Sequence, residues 1–402
     1  MTRYKFPLLL LLLVFLLLLC SSSLAEEARD LTSECHFKAS KGSGRNVHSL
    51  YNKNYEYYWQ ADRAKNNYLE VHLPEGETCS GVQIKWAQIN PNWCVEIKEN
   101  DEWVKVGGYE GNYLTTWTPL PNVTEFRIAS HNRVSEYLRI NEIIVLSAGE
   151  RPDYIQIWEP TYEKADLLLV IAHPDDEYIF FGGLIPYYGT ELGKDVLVAF
   201  INESSATRRT ELLDGLWTAG QRSYPLIGKF YDRYTHDLNV AYKKLGKEKT
   251  QRYMIELFRH YKPEVVVTHD IDGEYGHGVH KLCADIVLNA LKKSSDPKYD
   301  KESAETYGTW DVPKCYIHLY EDNQIIFDWH GTKLSKFDGR SAFEVADDAW
   351  HCHISQQETE FMVYTDGPYD SQVFGLYRSI VGPDTKHNDF FENLIPNEGS
   401  VK

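Results

Sequence analysis

The sequence predicts a two-part chain, an N-terminal all-β sandwich or jelly roll followed by a doubly wound α/β domain. Between residues 30 and 148, short runs alternate apolar and polar residues with period two, punctuated by Gly, Pro and Asn and without a helical stretch. After Ala165 the runs become continuously apolar and alternate with helical periodicities, the texture of parallel strands buried on both faces. A length of 402 residues gives room for two or three domains.

Residues 1–25 read as a cleaved signal peptide and are set aside from fold reasoning. Arg3 and Lys5 precede an unbroken apolar run from Leu8 to Cys20, and Ser23-Leu24-Ala25 offers small residues at a cleavage site. The run is shorter than the ~20 residues a spanning helix needs. Residues 26–150 then form the β-rich part. Its strands are expected at Tyr68–Leu73, Gly81–Trp86, Val95–Lys98, Trp103–Val106, Glu125–Ile128 and Tyr137–Leu146. The polar stretch Gly149–Asp153 is a linker candidate, and residues 151–402 form the second domain. Its buried strands are expected at Leu167–Ala172, Val196–Ile201 and Val265–Val267. Helical periodicity runs through Leu212–Trp217, Tyr253–Tyr261 and Leu282–Leu291. Sheets of this class keep their ligands at the carboxyl ends of the strands.

Hydrophobic residues at 43% and charged residues at 25% exclude wholesale disorder. A net charge of −17, without a basic stripe, excludes a general nucleic-acid binder. With a leader, the even set Cys35, Cys79, Cys94, Cys283, Cys315 and Cys352 suggests disulfides. No CxxC occurs, which argues against a cysteine-based zinc site. Asn122-Val123-Thr124 and Asn202-Glu203-Ser204 are glycosylation sequons. The second follows a strand end near the expected substrate entrance, so it is expected to be unmodified. Aromatic residues reach 13%, and Tyr55, Tyr57, Tyr58 and Trp59 make a candidate sugar-stacking platform, or else buried rings of a sandwich loop.

The first α/β strand runs straight into His173-Pro174-Asp175-Asp176-Glu177, delivering an imidazole and three carboxylates to a strand end. The strand at Val265–Val267 leads to Asp272-Gly273-Glu274-Tyr275-Gly276-His277-Gly278-Val279-His280. Its H-x-x-H spacing lets two imidazoles share one side of a starting helix. Imidazole and carboxylate are the ligands a catalytic zinc takes, usually three with one position left open. Alone, each histidine reads as a strand-end or surface residue; together, at matching strand ends, they read as a metal site.

These elements resemble the PIG-L/LmbE-like zinc deacetylases. The resemblance rests on AHPDDE at 172–177, Arg208-Arg209-Thr210-Glu211, GEYGHGVH at 273–280 and His353-Ile354-Ser355-Gln356, covering roughly 165–360. It implies a Rossmann-like α/β fold with a mostly parallel sheet, and removal of the acetyl group from an N-acetylglucosamine-containing glycan or glycolipid. His173, Asp176 and His280 would bind Zn²⁺, or another divalent metal. Asp175 would be the general base, His277 and Tyr275 would meet the oxyanion, and Arg208 would contact substrate. Glu177 reads as a solvated helix-start carboxylate, Glu274 as a loop carboxylate, and His353 with Gln356 as packing or capping. Many members carry Asp before the second His, where Val279 stands here. Loss of a carboxylate that orients a ligand costs about 10–100-fold.

The β-rich part more weakly resembles galactose-binding-like, discoidin-type modules, through LEVHLP at 69–74, GVQIKW at 81–86 and LRINEIIVL at 138–146. The reading is a secreted or secretory-lumen metal-dependent deacetylase that meets a membrane only through its substrate. A catalytically weak glycan-binding or adhesion protein on the same fold is the alternative.

Overall fold

The computed structural model describes residues 26–40, 47–61, 66–89, 92–109, 111–131, 138–231 and 234–394. The expected leader, residues 1–25, therefore lies outside the described residues. Among the described residues, no helix is long and apolar enough to cross a membrane.

The N-terminal region is β-rich. Its strands are β1 (His36–Ala39), β2 (Trp59–Gln60), β3 (Asn67–His72), β4 (Cys79–Trp86), β5 (Cys94–Glu99), β6 (Glu102–Gly108), β7 (Thr115–Val123), β8 (Glu125–Ser130) and β9 (Arg139–Ser147). They form two antiparallel sheets, ordered β1-β3-β8-β5-β6 and β2-β9-β4-β7. Alternation explains the packing: Leu69, Val71, Phe126 and Ile128 of one sheet share a core with Val82, Ile84, Ile143 and Val145 of the other. β7 carries Pro119 and Pro121, which a strand tolerates at a sheet edge, and β7 is an edge.

The second region is α/β. Its strands are β10 (Leu167–Ile171), β11 (Val196–Asn202), β12 (Leu226–Phe230), β13 (Val265–Thr268), β14 (Lys314–His318), β15 (Gln324–Ile326), β16 (Lys333–Leu334), β17 (Arg340–Ser341) and β18 (Val373–Ser379). The main sheet has the order β12-β11-β10-β13-β14-β18-β15. Its first five strands are parallel, and β18 runs antiparallel to both neighbours. The helices are α1 (Asp176–Ile179), α2 (Ala206–Thr218), α3 (Leu238–Leu245), α4 (Lys247–Tyr261), α5 (Gly278–Lys293), α6 (Lys301–Tyr307) and α7 (Ala342–His351). β10 is apolar throughout because it is buried on both faces. Leu167, Leu169 and Ile171 face one core with Leu212 and Leu213 of α2, whereas Leu168 and Val170 face another with Phe258 of α4 and Leu282 of α5.

The two regions meet through buried polar contacts. Lys85 Nζ of β4 lies 2.8 Å from Glu142 Oε2 and 3.0 Å from Asp214 Oδ2 of α2. Asp214 also accepts from the Tyr55 hydroxyl at 2.7 Å and from Gln156 Nε2 at 2.5 Å. Asn141 Nδ2 donates to Thr210 Oγ1 at 2.8 Å.

Several expectations change. The anticipated disulfides are not formed: Cys35, Cys79, Cys94, Cys283, Cys315 and Cys352 are all free. Burial pushes the Cys79 and Cys315 thiols up to about 12, which keeps them protonated. The aromatic platform divides, with Tyr55 and Trp59 buried and Tyr57 and Tyr58 exposed. Asn202, the acceptor of the second sequon, is buried at the end of β11.

Candidate active site

Three neighbouring parallel strands end in, or run directly into, a histidine. His173 follows β10 by one residue, His269 follows β13, and His318 closes β14. The chain after His173 turns sharply: Asp175 has φ 113° and ψ −34°, a conformation that costs a non-glycine residue about 1–3 kcal/mol. Glu177 holds it there, its Oε2 accepting the Asp175 N–H at 2.7 Å while Oε1 meets His353 Nε2 at 2.8 Å. α1 therefore begins at Asp176 with the neighbouring carboxylates aimed in different directions.

The H-x-x-H element straddles the start of α5, with His277 as N-cap and His280 in the first turn. Three sequence-predicted residues converge here. His173 Nδ1 and Asp176 Oδ2 are 3.1 Å apart, His280 Nε2 and Asp176 Oδ2 3.3 Å, and His280 Nε2 and His173 Nδ1 3.3 Å. Ligands about 2.05 Å from a tetrahedral metal stand ~3.3 Å from one another, so this near-equilateral triangle fits a divalent cation. Its electrostatics suit one too. Although burial lowers a histidine pKa, Asp176 and Glu274 hold His280 up at about 10, and His280 with His173 keeps the buried Asp176 carboxyl well below its ordinary value. His269 is also near Asp176, at 3.6 Å, but its Nε2 already accepts the Ala172 N–H at 3.0 Å.

Glu274, read from sequence as a loop carboxylate, is instead a buried hub. Its Oε2 meets His269 Nδ1 at 2.8 Å and His280 Nδ1 at 2.7 Å, and its Oε1 meets His318 Nδ1 at 2.6 Å. The bond to His280 leaves Nε2 facing the triangle, the usual way a carboxylate orients a metal-binding imidazole. Val279, in the first turn of α5, is buried in the core with Leu282 and Cys283. Glu177 is likewise buried rather than solvated, and His353 is its partner.

The remaining predicted residues surround the triangle. Asp175 is buried and its Oδ1 lies 2.7 Å from Arg208 Nη2, which also donates to the Pro174 carbonyl. Burial pushes Asp175 up to about 6, against the pull of the Arg208 guanidinium. Arg208 stands in the first turn of α2, whose Ser205 N-cap accepts the Arg208 N–H. The His277 ring is 4.8 Å from both His173 and His280. Tyr275, half-buried at φ 43°, has its ring 5.5 Å from His277 and 5.2 Å from His280. Burial and the charge of Asp176 push its phenol well up, so it remains a hydrogen-bond donor. Gln356 touches Ser355 rather than this cluster. Sequence reasoning missed the positions of Glu177, Glu274, His269 and His318. The signal available was the repetition of a histidine at three adjacent strand ends.

Residues 168–291 match the PIG-L family, described as GlcNAc-PI de-N-acetylase. A 1D-myo-inositol 2-acetamido-2-deoxy-alpha-D-glucopyranoside deacetylase 2 of Saccharopolyspora erythraea is 31% identical over 176 residues, covering 37% of this chain and 63% of that protein. A deacetylase of the same name, numbered 1, from Catenulispora acidiphila is 27% identical over 178 residues, covering 37% and 54%. The chain thus spans less than two thirds of either curated relative. Among solved structures, an N,N'-diacetylchitobiose deacetylase of Pyrococcus horikoshii is 17% identical, covers 49% of this chain and 72% of that one, and has a TM-score of 0.38. A family 32 carbohydrate-binding module of C. perfringens, in complex with galactose, is 18% identical, covers 30% and 97%, and has a TM-score of 0.25.

Proposed function

Because residues 168–291 form a PIG-L family domain, we propose that the protein is a metal-dependent amidohydrolase removing the acetyl group from an N-acetylglucosamine unit of a glycan or glycolipid. The observation that carries this reading is the triangle of His173 Nδ1, Asp176 Oδ2 and His280 Nε2 with the Asp175 carboxyl beside it. The curated relatives' deacetylase names support the reaction class.

His173, Asp176 and His280 would hold the metal, with zinc the first choice for such ligands. When bound, the metal supplies Lewis-acid activation of the attacking water and of the acetamide carbonyl. Asp175 takes a proton from that water; a carboxyl near 6 is ionised at neutral pH yet basic enough for the task. Arg208 holds the Asp175 carboxylate in place and balances its charge. The oxygen adds to the acetyl carbon, and the Tyr275 hydroxyl and the His277 ring face the negative charge that develops. The C–N bond then breaks, and the amine leaves with a proton returned by Asp175 or His277. One water is consumed, and acetate and a free amino sugar are formed.

The alternative of a catalytically weak glycan binder rests on Val279 and on a possible lectin-like role of the β-rich part; the Glu274 carboxylate bonded to His280 favours the enzyme. Action in the secretory lumen or outside the cell rests on the leader alone. The test is acetate release from a panel of N-acetylglucosamine conjugates by protein beginning at Glu26. Stripping metal with a chelator should abolish release, and zinc should restore it. Release that persists in fully stripped protein contradicts the reading, as does metal-loaded protein that releases no acetate from any conjugate.

A further inference from the structure

The site does not end at the α/β region. The residues on either side of Arg208 are tied to the β-rich region: Thr207 Oγ1 donates to the Tyr55 carbonyl at 3.0 Å, and Arg209 Nη2 donates to the Ala87 carbonyl at 3.1 Å. Arg208 itself reaches Asp175. Arg209 also pairs with Glu203 at 3.5 Å, just beyond the carboxyl end of β11. The loops around Tyr55 and Ala87 therefore border the catalytic side of the sheet.

These two loops continue into one surface patch. Tyr57 is 53% and Tyr58 37% exposed, and Tyr58 lies three residues, at most about 11 Å of chain, from Tyr55. The Arg139 guanidinium sits 5.2 Å from the Tyr58 ring centroid. Its Nε donates to Gln60 Oε1 at 2.7 Å and its Nη1 to Gln88 Oε1 at 3.1 Å, and Gln88 follows Ala87. Pairing of Trp59–Gln60 with β9 fixes Gln60 opposite Arg139. The patch thus offers an aromatic ring, a guanidinium beside it, and two amides hydrogen-bonded to that guanidinium.

We propose that this patch is a second sugar subsite, holding the units of an oligosaccharide next to the N-acetylglucosamine whose acetyl group is removed. The proposal rests on the deacetylase reading and names its substrate class as a glycan of at least two sugars. A pyranose ring presents C–H groups on one face and hydroxyls around its edge. The first suit the Tyr58 ring, and the second suit planar donors and acceptors such as Arg139, Gln60 and Gln88. Prior bonding of the three polar side chains lowers the cost of ordering them on binding. Continuity with the catalytic side explains why a β-rich region is locked to α2 by buried hydrogen bonds rather than tethered by a linker.

The experiment compares kcat/KM for acetate release from free N-acetylglucosamine with that from N-acetylglucosamine-terminated oligosaccharides of several linkages, on metal-loaded full-length protein. The best oligosaccharide should exceed the monosaccharide by roughly tenfold or more. Tyr58→Ala and Arg139→Met should each cut that ratio, and Tyr58→Phe, which keeps the ring, should preserve it. Mere structural damage lowers both rates and leaves the ratio standing. The subsite is overturned if no oligosaccharide exceeds the monosaccharide, or if the ratio survives both variants. Absence of acetate from every compound, the monosaccharide included, overturns the deacetylase reading and the subsite with it.

Discussion

Glu274 carries more of the site than its place in a loop suggests. One carboxylate meets three imidazoles, of His269, His280 and His318, and sets the direction in which His280 presents Nε2. Glu274→Gln keeps the shape but replaces one oxygen with an NH₂ group that faces an N–H. Metal affinity, measured by chelator competition, should fall by about 10–100-fold, and unchanged affinity would remove Glu274 from the account. The residues that chemistry needs were legible because they cluster in short motifs, 173–177 and 275–280, at strand ends. Their supports were not, because a carboxylate's partners come from distant parts of the chain. His353 lies 176 residues after Glu177, and His318 lies 44 after Glu274. In sequence, a buried and a solvated glutamate look alike.

Elements that bury both faces announced themselves: β10, β11 and β13 are continuous apolar runs at the expected positions. β14 was hidden by Lys314 and His318 at its ends, both buried through partners found only in the fold, Asp384 for Lys314 and Glu274 for His318. β7 was hidden by its prolines and threonines, as an edge strand can be. The contact between β4 and α2 was illegible for the same reason as the buried glutamates. Replacing Lys85 with Met leaves Glu142 and Asp214 without their shared cation. Urea unfolding should register a loss of about 3–5 kcal/mol, much of it recovered when both carboxylates also become Leu. A loss below ~1 kcal/mol would mean the pair is solvated in solution.

The C-terminal segment has its own acid sensitivity. Desolvation pushes Glu392 up, but the N–H groups of Thr385 and Lys386 and the Thr385 hydroxyl hold it down at about 2. A depressed carboxyl contributes stability above its unfolded pKa of about 4.3 and loses it as pH falls through the folded value. Amide-exchange protection at Thr385 and Lys386 should exceed that of Glu392→Gln at neutral pH, with the difference vanishing towards pH ~2. A difference that does not change with pH would contradict the assignment.

At the scale of the whole molecule, a parallel sheet brings His173, His269 and His318 side by side, a loop adds Glu274, and α5 adds His277 and His280. The β-rich region braces the helix that carries Arg208. Both regions therefore converge on Asp175, buried beside the triangle of His173, Asp176 and His280 and held at φ 113°. The most direct test is acetate release by Asp175→Asn, with bound metal quantified in the same sample. The account predicts metal retained at the wild-type level and a rate lower by about 10²–10⁴-fold. Full activity in Asp175→Asn with metal in place would contradict it.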